Sequence, residues 1–348
     1  MPVQCNDNEI LTRLCPDCAL CGARGESLYQ DLKDRLFGVP GKWNLKKCLN
    51  PACGLIWLDP MPLEEDIGKA YINYYTHQDT NEDRNRLRTR LFRFVKEGYW
   101  AKKYGYCNDS VRGWNKLLGD LIYLHPLRHA EIDMMVRYLP AQSGRLLDIG
   151  CGNGKWLEFM QNLGWLVEGI DSDRFAVDIA KNKGLPVHFG TLETQNYSDN
   201  HFDAITMNHV IEHVHQPFRL LLECKRVLKP AGSLVVVTPN GESWGHSLFR
   251  SAWLHLDPPR HLYVFSPRSL LRIAEKADFN NIAISTTIRW HDTIFISSKS
   301  IYYTGQYCRN VHQPRTTRSW ARSMQFIECA ILKVKPDIGE EIVLIAQK

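Results

Sequence analysis

The sequence predicts an α/β fold, a mostly parallel sheet covered by helices on both faces, behind a small cysteine-rich segment. Three observations predict it. The run Leu146-Leu147-Asp148-Ile149-Gly150-Cys151-Gly152-Asn153-Gly154 reads as a buried strand that ends in an acid and turns through three glycines into a helix. Short apolar runs then alternate with helical stretches as far as residue 277, the pattern of a parallel sheet. Cys15, Cys18, Cys21, Cys48 and Cys53 crowd the amino-terminal 60 residues.

Composition bounds the answer. At 348 residues and 44% hydrophobic content the chain is globular and long enough for one large or two modest domains. The formal charge of +5 is small for this size, so it neither demands nor excludes an anionic partner. No apolar run is long enough to span a bilayer, and the amino terminus has neither a basic nor an apolar targeting region. A cytoplasmic protein is expected, with reduced thiols. The clustered cysteines then read as a metal site: Cys18 and Cys21 form one knuckle followed by glycine, Cys48 and Cys53 a second, and four thiolates can surround one tetrahedral zinc. The second knuckle is C-x4-C, and Cys15 is an alternative ligand. Such a zinc is structural, because about sixty residues cannot build a sufficient core unaided.

After this segment (1–60), Pro60 and Pro62 break the chain, and 61–125 reads as a helical linker or cap. Leu63 to Tyr75 begins it, ending in tyrosines. Arg84, Arg86, Arg88, Arg90 and Arg93 interleave with Leu87, Leu91, Phe94 and Val95, which gives an amphipathic helix with solvated arginines. The third part, 126–348, starts with a helix at 126–139. Strands follow near 145–149, 165–170, 186–189, 202–207 and 233–238, with helices near 154–164, 173–183, 216–228 and 267–277. Between 296 and 335 periodicity is poor and Arg309, Arg315, Arg318 and Arg322 make the stretch basic, so it reads as a cap over a pocket or as a surface insertion. Gly339 to Ala346 reads as a last strand.

The glycine turn implies a small polar cofactor, since glycines let a ligand approach the main chain and the next helix offers free N–H groups. Its G-x-G-x-G spacing departs from the G-x-G-x-x-G of a dinucleotide site. Asp171 ends the second strand about twenty residues on, suited to accept two ribose hydroxyl bonds, so adenosine is expected.

Three later runs extend the pattern: Phe202 to Val214, Arg226-Val227-Leu228-Lys229-Pro230-Ala231-Gly232, and Leu234-Val235-Val236-Val237-Thr238-Pro239-Asn240. In order and spacing, residues 126–290 resemble class I S-adenosylmethionine-dependent methyltransferases, and most of all the ubiquinone-biosynthesis O-methyltransferase type. An alanine, Ala231, stands at the usual first glycine of one element. The resemblance implies a Rossmann-like, seven-stranded, mostly parallel sheet whose last strand inserts antiparallel. It implies Asp148, Gly150 and Gly152 along the methionine end of S-adenosyl-L-methionine and Asp171 on the ribose, Glu193 beside the adenine and Asn208 near the amino-acid moiety. Similar tyrosines in the family sit near the cofactor entrance, so Tyr71, Tyr74 and Tyr75 are read either as closing over the sulfonium or the substrate or as ordinary helix packing. Cys53 to Pro60 resembles the end of the zinc ribbon that precedes some methyltransferase domains, including sugar C-methyltransferases.

His209, Glu212 and His213 lie at i, i+3 and i+4, on one side of an expected helical turn at the carboxyl end of the sheet. His255 and His261 follow in a loop stiffened by two prolines. In one reading His209 or His261 is a general base for a hydroxyl acceptor. In a second, His209, Glu212, His213 and His261 hold a divalent metal; related enzymes use Glu-x-x-Glu-His for this, with His209 here at the first glutamate. In a third, Glu212 and His213 only fix the loop. The expected activity is methyl transfer to a hydroxyl of a small-molecule or sugar-derived acceptor. C-methylation of a nucleotide-linked sugar and modification of nucleic acid are the weaker alternatives.

Overall fold

The computed structural model describes residues 10–72, 86–106, 118–124, 126–142, 144–307 and 314–348. The amino-terminal segment contains β1 (Thr12–Arg13), β2 (Gly25–Leu32), β3 (Trp43–Cys48), β4 (Ile56–Leu58) and β5 (Met61–Pro62). β1 and β5 pair antiparallel, and β2, β3 and β4 form an antiparallel meander. Trp43, Leu45, Leu55, Ile56, Trp57 and Leu58 are buried, which is why so short a segment can hold a shape.

Two helices lead into the large sheet, α1 (Arg86–Lys103) and α2 (Pro126–Met135). α1 buries Tyr99 and Trp100 against α2, where Tyr99 donates to Asp133 and the Trp100 indole to the Ile132 carbonyl. Arg93 and Phe94 face solvent. The arginine-rich stretch is helical from Arg86, and among its described side chains Phe92 and Val95 pack against the core that buries Tyr99 and Trp100. Arg84, Tyr74, Tyr75 and Arg309 lie outside the described residues. Leu63 to Tyr75 was expected to be helical; what forms within the described part is one 3-10 turn, Ile67–Tyr71.

The large sheet holds β6 (Arg145–Ile149), β7 (Leu166–Asp171), β8 (Val187–Phe189), β9 (Phe202–Asn208), β10 (Leu228–Pro239), β12 (Asn280–Thr287) and β13 (Glu341–Gln347). Their order is β12-β13-β10-β9-β6-β7-β8. β13 runs antiparallel to both neighbours, and the other six strands are parallel to one another. The central strands are apolar along their length because helices cover both faces: Leu146, Leu147, Ile205 and Val236 have no solvent exposure. The connecting helices are α3 (Lys155–Asn162), α4 (Arg174–Asn182), α5 (Pro217–Val227), α6 (Trp244–Phe249), α7 (Pro267–Lys276), α8 (His291–Thr304) and α9 (Arg315–Leu332). Ala231 turns at a φ of +60°, so the alanine takes the left-handed conformation that glycine adopts more easily.

Three expectations change. α2 ends at Met135 rather than 139, because Arg137 and Tyr138 have positive φ and stop the helix. β12 was not among the expected strands, since on this exposed edge only Ile282 and Ile284 mark the inward face, alternating with Ala283 and Ser285. The stretch 296–335 includes most of α8 and all of α9, whose helical period is obscured by the polar residues His291, Ser297, Ser298 and Glu328 on buried faces. Among the described residues no helix is long and apolar enough to cross a membrane.

The two parts share a sheet. β11 (Tyr263–Val264), from the loop after α6, pairs with β4 and completes a four-stranded sheet β11-β4-β3-β2. The cysteine-rich segment is thus packed against the loop that carries His261.

Candidate functional site

The glycine turn uses its glycines for different reasons. Gly152 has a φ of +55° and a Cβ there would meet nothing within 4 Å, so the backbone lies open to a ligand. A Cβ on Gly154 would come 2.5 Å from Leu185 Cδ1, so that glycine lets α3 pack close to the neighbouring chain. Asp171 ties the turn down: it accepts from the Gly152 amide at 2.7 Å and from the Asp173 amide at 2.8 Å. Asp173 then caps α4.

Beside this turn lies a crevice of about 740 Å³. Gly150, Asp171 and Glu193 line it with the apolar Ile170, Val210 and Leu220. Asp148, Gly152 and Asn208 are not among its walls. Asp148 is fully buried beneath Arg137; one carboxylate oxygen takes the guanidinium and the Thr206 hydroxyl, and the other, Oδ2, has no partner among the described residues. Burial pushes the Asp148 carboxyl up while Arg137 opposes it. Asp171 at the crevice fits a ribose, and the open Gly152 backbone bonded to it fits the main chain of a methionine moiety, whereas Asp148, sealed beneath Arg137, lies behind them. Arg137, stacked 3.6 Å from the centre of the Trp156 ring, is a member of this site that sequence reasoning missed. Its signal was an arginine among apolar residues, between Val136 and Leu139, just past the end of α2.

At the carboxyl end of β9 the expected helical turn is not formed. His209 has a φ of +55°, and only a 3-10 turn, Ile211–His213, follows. The residues therefore divide into two groups instead of sharing one face. His209 sits between carboxylates, with Nδ1 3.1 Å from Glu212 and Nε2 2.7 Å from Glu341. Burial pulls its pKa down, but the bonds to the two acids outweigh it and raise the value to about 9. A histidine already protonated at neutral pH cannot take a proton from a substrate, so His209 does not suit a base. Arg289 closes this group, donating to Glu341 at 2.8 Å and to Asn208 at 3.3 Å.

The second group is Glu212, His213 and His261, whose potential ligand atoms all lie within 4.8 Å of one another. Backbone carbonyls fix their tautomers, because a carbonyl can only accept. His213 Nδ1 donates to the Arg260 carbonyl at 3.0 Å and His261 Nδ1 to the His255 carbonyl at 2.7 Å. Each Nε2 is left as the accepting nitrogen. Burial, with His261 next, lowers the His213 pKa to about 4. The Tyr71 hydroxyl lies 2.9 Å from His213 Nδ1. His255 stacks on both His209 and His261, and burial takes its pKa to about 3. Val210 and Val214, on either side of the 3-10 turn, line the crevice, which joins this group to the cofactor side.

In the amino-terminal segment Cys18, Cys21, Cys48 and Cys53 converge within 4.8 Å, and Cys15 stays outside the group. The Cys18 and Cys53 sulfurs are 3.7 Å apart, those of Cys21 and Cys48 3.4 Å. Thiolates about 2.3 Å from one tetrahedral zinc stand about 3.8 Å apart, so this donor set fits that ion.

A family model described as a methyltransferase domain matches residues 123–284. The ubiquinone biosynthesis O-methyltransferase of Haemophilus ducreyi (strain 35000HP / ATCC 700724) is 34% identical over 128 residues, 34% of this chain and 53% of its own. That of Coxiella burnetii (strain RSA 493 / Nine Mile phase I) is 27% identical over 139 residues, 38% of this chain and 59% of its own. The chain thus spans between half and three-fifths of the length of these curated relatives. A solved S-adenosylmethionine-dependent methyltransferase from Archaeoglobus fulgidus is 21% identical, with a TM-score of 0.45, over 67% of this chain and 99% of that one. Strand order, the glycine turn and the match over residues 123–284 agree, and this stretch is a methyltransferase domain of the class I S-adenosylmethionine-dependent kind.

Proposed function

We propose that the protein transfers a methyl group from S-adenosyl-L-methionine to a hydroxyl of a small-molecule acceptor, with His261 as the general base, and that its four amino-terminal thiolates hold a structural zinc. The observation that carries the reaction is the pair of accepting Nε2 atoms on His213 and His261, in a group flanked by Val210 and Val214 of the crevice wall. When bound, the cofactor supplies an activated methyl carbon on a sulfonium. The protein's work is then alignment, exclusion of water and movement of one proton. The acceptor hydroxyl would lose its proton on methylation, and we assign His261 Nε2 to take it. Asp171 would hold the ribose, with Glu193 toward the adenine, and Asp148 would act on the cofactor side only through Arg137. The relatives' names, which specify O-methylation, favour a hydroxyl over nitrogen or carbon.

The grouping of Glu212, His213 and His261 favours one second reading, a divalent cation that lowers the pKa of a bound phenol or diol. His209 takes no part in it, since both of its ring nitrogens are held by carboxylates.

The test measures methyl transfer from labelled cofactor to a panel of phenols, catechols and sugar hydroxyls, with and without added magnesium, manganese or zinc. His261→Ala should cost a factor of about 10²–10⁴ in turnover while cofactor affinity by calorimetry is unchanged. Asp171→Ala should weaken cofactor binding severely. Intact turnover in His261→Ala would sink the base assignment, and turnover that requires added cation would favour the second reading.

A further inference from the structure

Arg260 is a large cation with no solvent exposure, and its partners come from both parts of the molecule. Its guanidinium donates through Nη1 and Nη2 to the two oxygens of Asp34, each at 2.8 Å, a bidentate fork. Nε donates to Asp257 at 3.0 Å, Nη1 to the Ala70 carbonyl at 3.3 Å, and Phe37 lies under the guanidinium plane at 4.7 Å. Asp34 belongs to the loop between β2 and β3 of the cysteine-rich segment. There it also accepts from the amides of Leu36, Phe37 and Val39 at 2.9 to 3.1 Å, so the anion is held rigidly on its own side.

What Arg260 carries on its backbone gives the clamp its meaning. Its carbonyl takes the Nδ1 proton of His213, and the next residue is His261. The following amide, Leu262, donates to the Glu212 carbonyl at 2.9 Å, and the Leu262 carbonyl accepts from Leu58 of β4 at 3.1 Å. Ser266, which caps α7, donates its hydroxyl to the carbonyl of Cys53 at 2.7 Å. Over seven residues, 260–266, the loop is tied to the cysteine-rich segment by an ion pair, a strand pair and a hydroxyl.

We propose that the amino-terminal segment is a positioning part of the acceptor site, and that the Arg260–Asp34 clamp sets the tautomer and aim of His213 and His261. This rests on reading those two histidines as acceptor-side groups. Arg260 touches no reacting atom; it acts through its own carbonyl and through its neighbour. The cofactor side, built on β6 and β7, shares none of these bonds.

The full chain carrying 15N-labelled histidine reports the tautomer of all 13 imidazoles by long-range nitrogen–proton correlation, with His213→Gln and His261→Gln giving the assignments. In Asp34→Asn, which keeps the shape but turns one acceptor into a donor facing the guanidinium, the Nδ1–H signatures of His213 and His261 should be lost. The other imidazoles should keep theirs, and affinity for S-adenosyl-L-methionine should be unchanged. If Asp34→Asn does not fold, Arg260→Lys carries the same readout, since lysine keeps the charge and loses the fork. Retention of both signatures in a folded variant, or their loss together with all other imidazole signals, would overturn the clamp. The imidazole readout needs no turnover, so it stands apart from the test of the base.

Discussion

Between Glu212 and Glu341 the ring of His209 carries two carboxylate bonds, and the outcome of burial against those bonds sets its charge. Its folded pKa, about 9, is above the ordinary value near 6.5, so the protonated form belongs to the folded state. The stability it contributes is fully present below about pH 6.5 and is lost as pH rises through about 9. His209→Asn should therefore melt below the native protein at pH 6 to 7, with the gap narrowing toward pH 10; a gap that stays constant would mean a neutral ring. Glu212 and Glu341 are both held near 2, against their burial, chiefly by His209 and Arg289 respectively, so their contribution is lost only in strong acid. Histidines and an acid after the fourth strand were legible from spacing alone. Their division was not, because Glu341 lies 132 residues away and decides which histidine becomes a cation.

At the scale of elements, α8 and α9 pack across a buried pair, His291 and Glu328. Both stay neutral: burial pushes the Glu328 carboxyl up to about 8 and the His291 imidazole down to about 4. Glu340, fully buried at the start of β13 and bonded to Trp253 at 2.9 Å, is likewise pushed up to about 8, first by burial and then by Glu328. Between about pH 4.5 and 8 the folded state keeps a proton on Glu328 that the unfolded chain releases, so stability falls as pH rises through that window. Glu328→Gln should make the melting temperature flatter from pH 5 to 8, and an unaltered slope would show that the carboxyl is already ionised. This pair also explains why the helices were invisible in sequence. A helix whose buried face carries histidine, serine and glutamate has no apolar stripe to detect. Strong elements such as β6, β9, β10, α5 and α7 were legible for the converse reason, having apolar interiors and clear capping or proline signals.

On the scale of the whole molecule, the cysteine-rich segment and the methyltransferase domain share one hydrophobic cluster that runs from Ile10 to Ala346. Purified protein should contain about one zinc per chain. Replacing Cys21 and Cys53 together by serine should remove the zinc and lower the melting temperature of the entire chain, because the segment's core is continuous with that of the domain. A zinc-free native protein, or loss of the segment alone without any shift in the main transition, would refute this.

The sequence by itself determined the parallel sheet, the glycine turn with Asp171, and the four cysteines, because each rests on local patterns: apolar runs, positive-φ glycines and knuckle spacing. Only the tertiary structure decided that Asp148 is shielded by Arg137, that His209 is a cation while His213 and His261 keep accepting nitrogens, and that Arg260 reaches Asp34. Charge, tautomer and burial depend on partners brought in from strands and loops far away in the chain, and no local pattern encodes who those partners are.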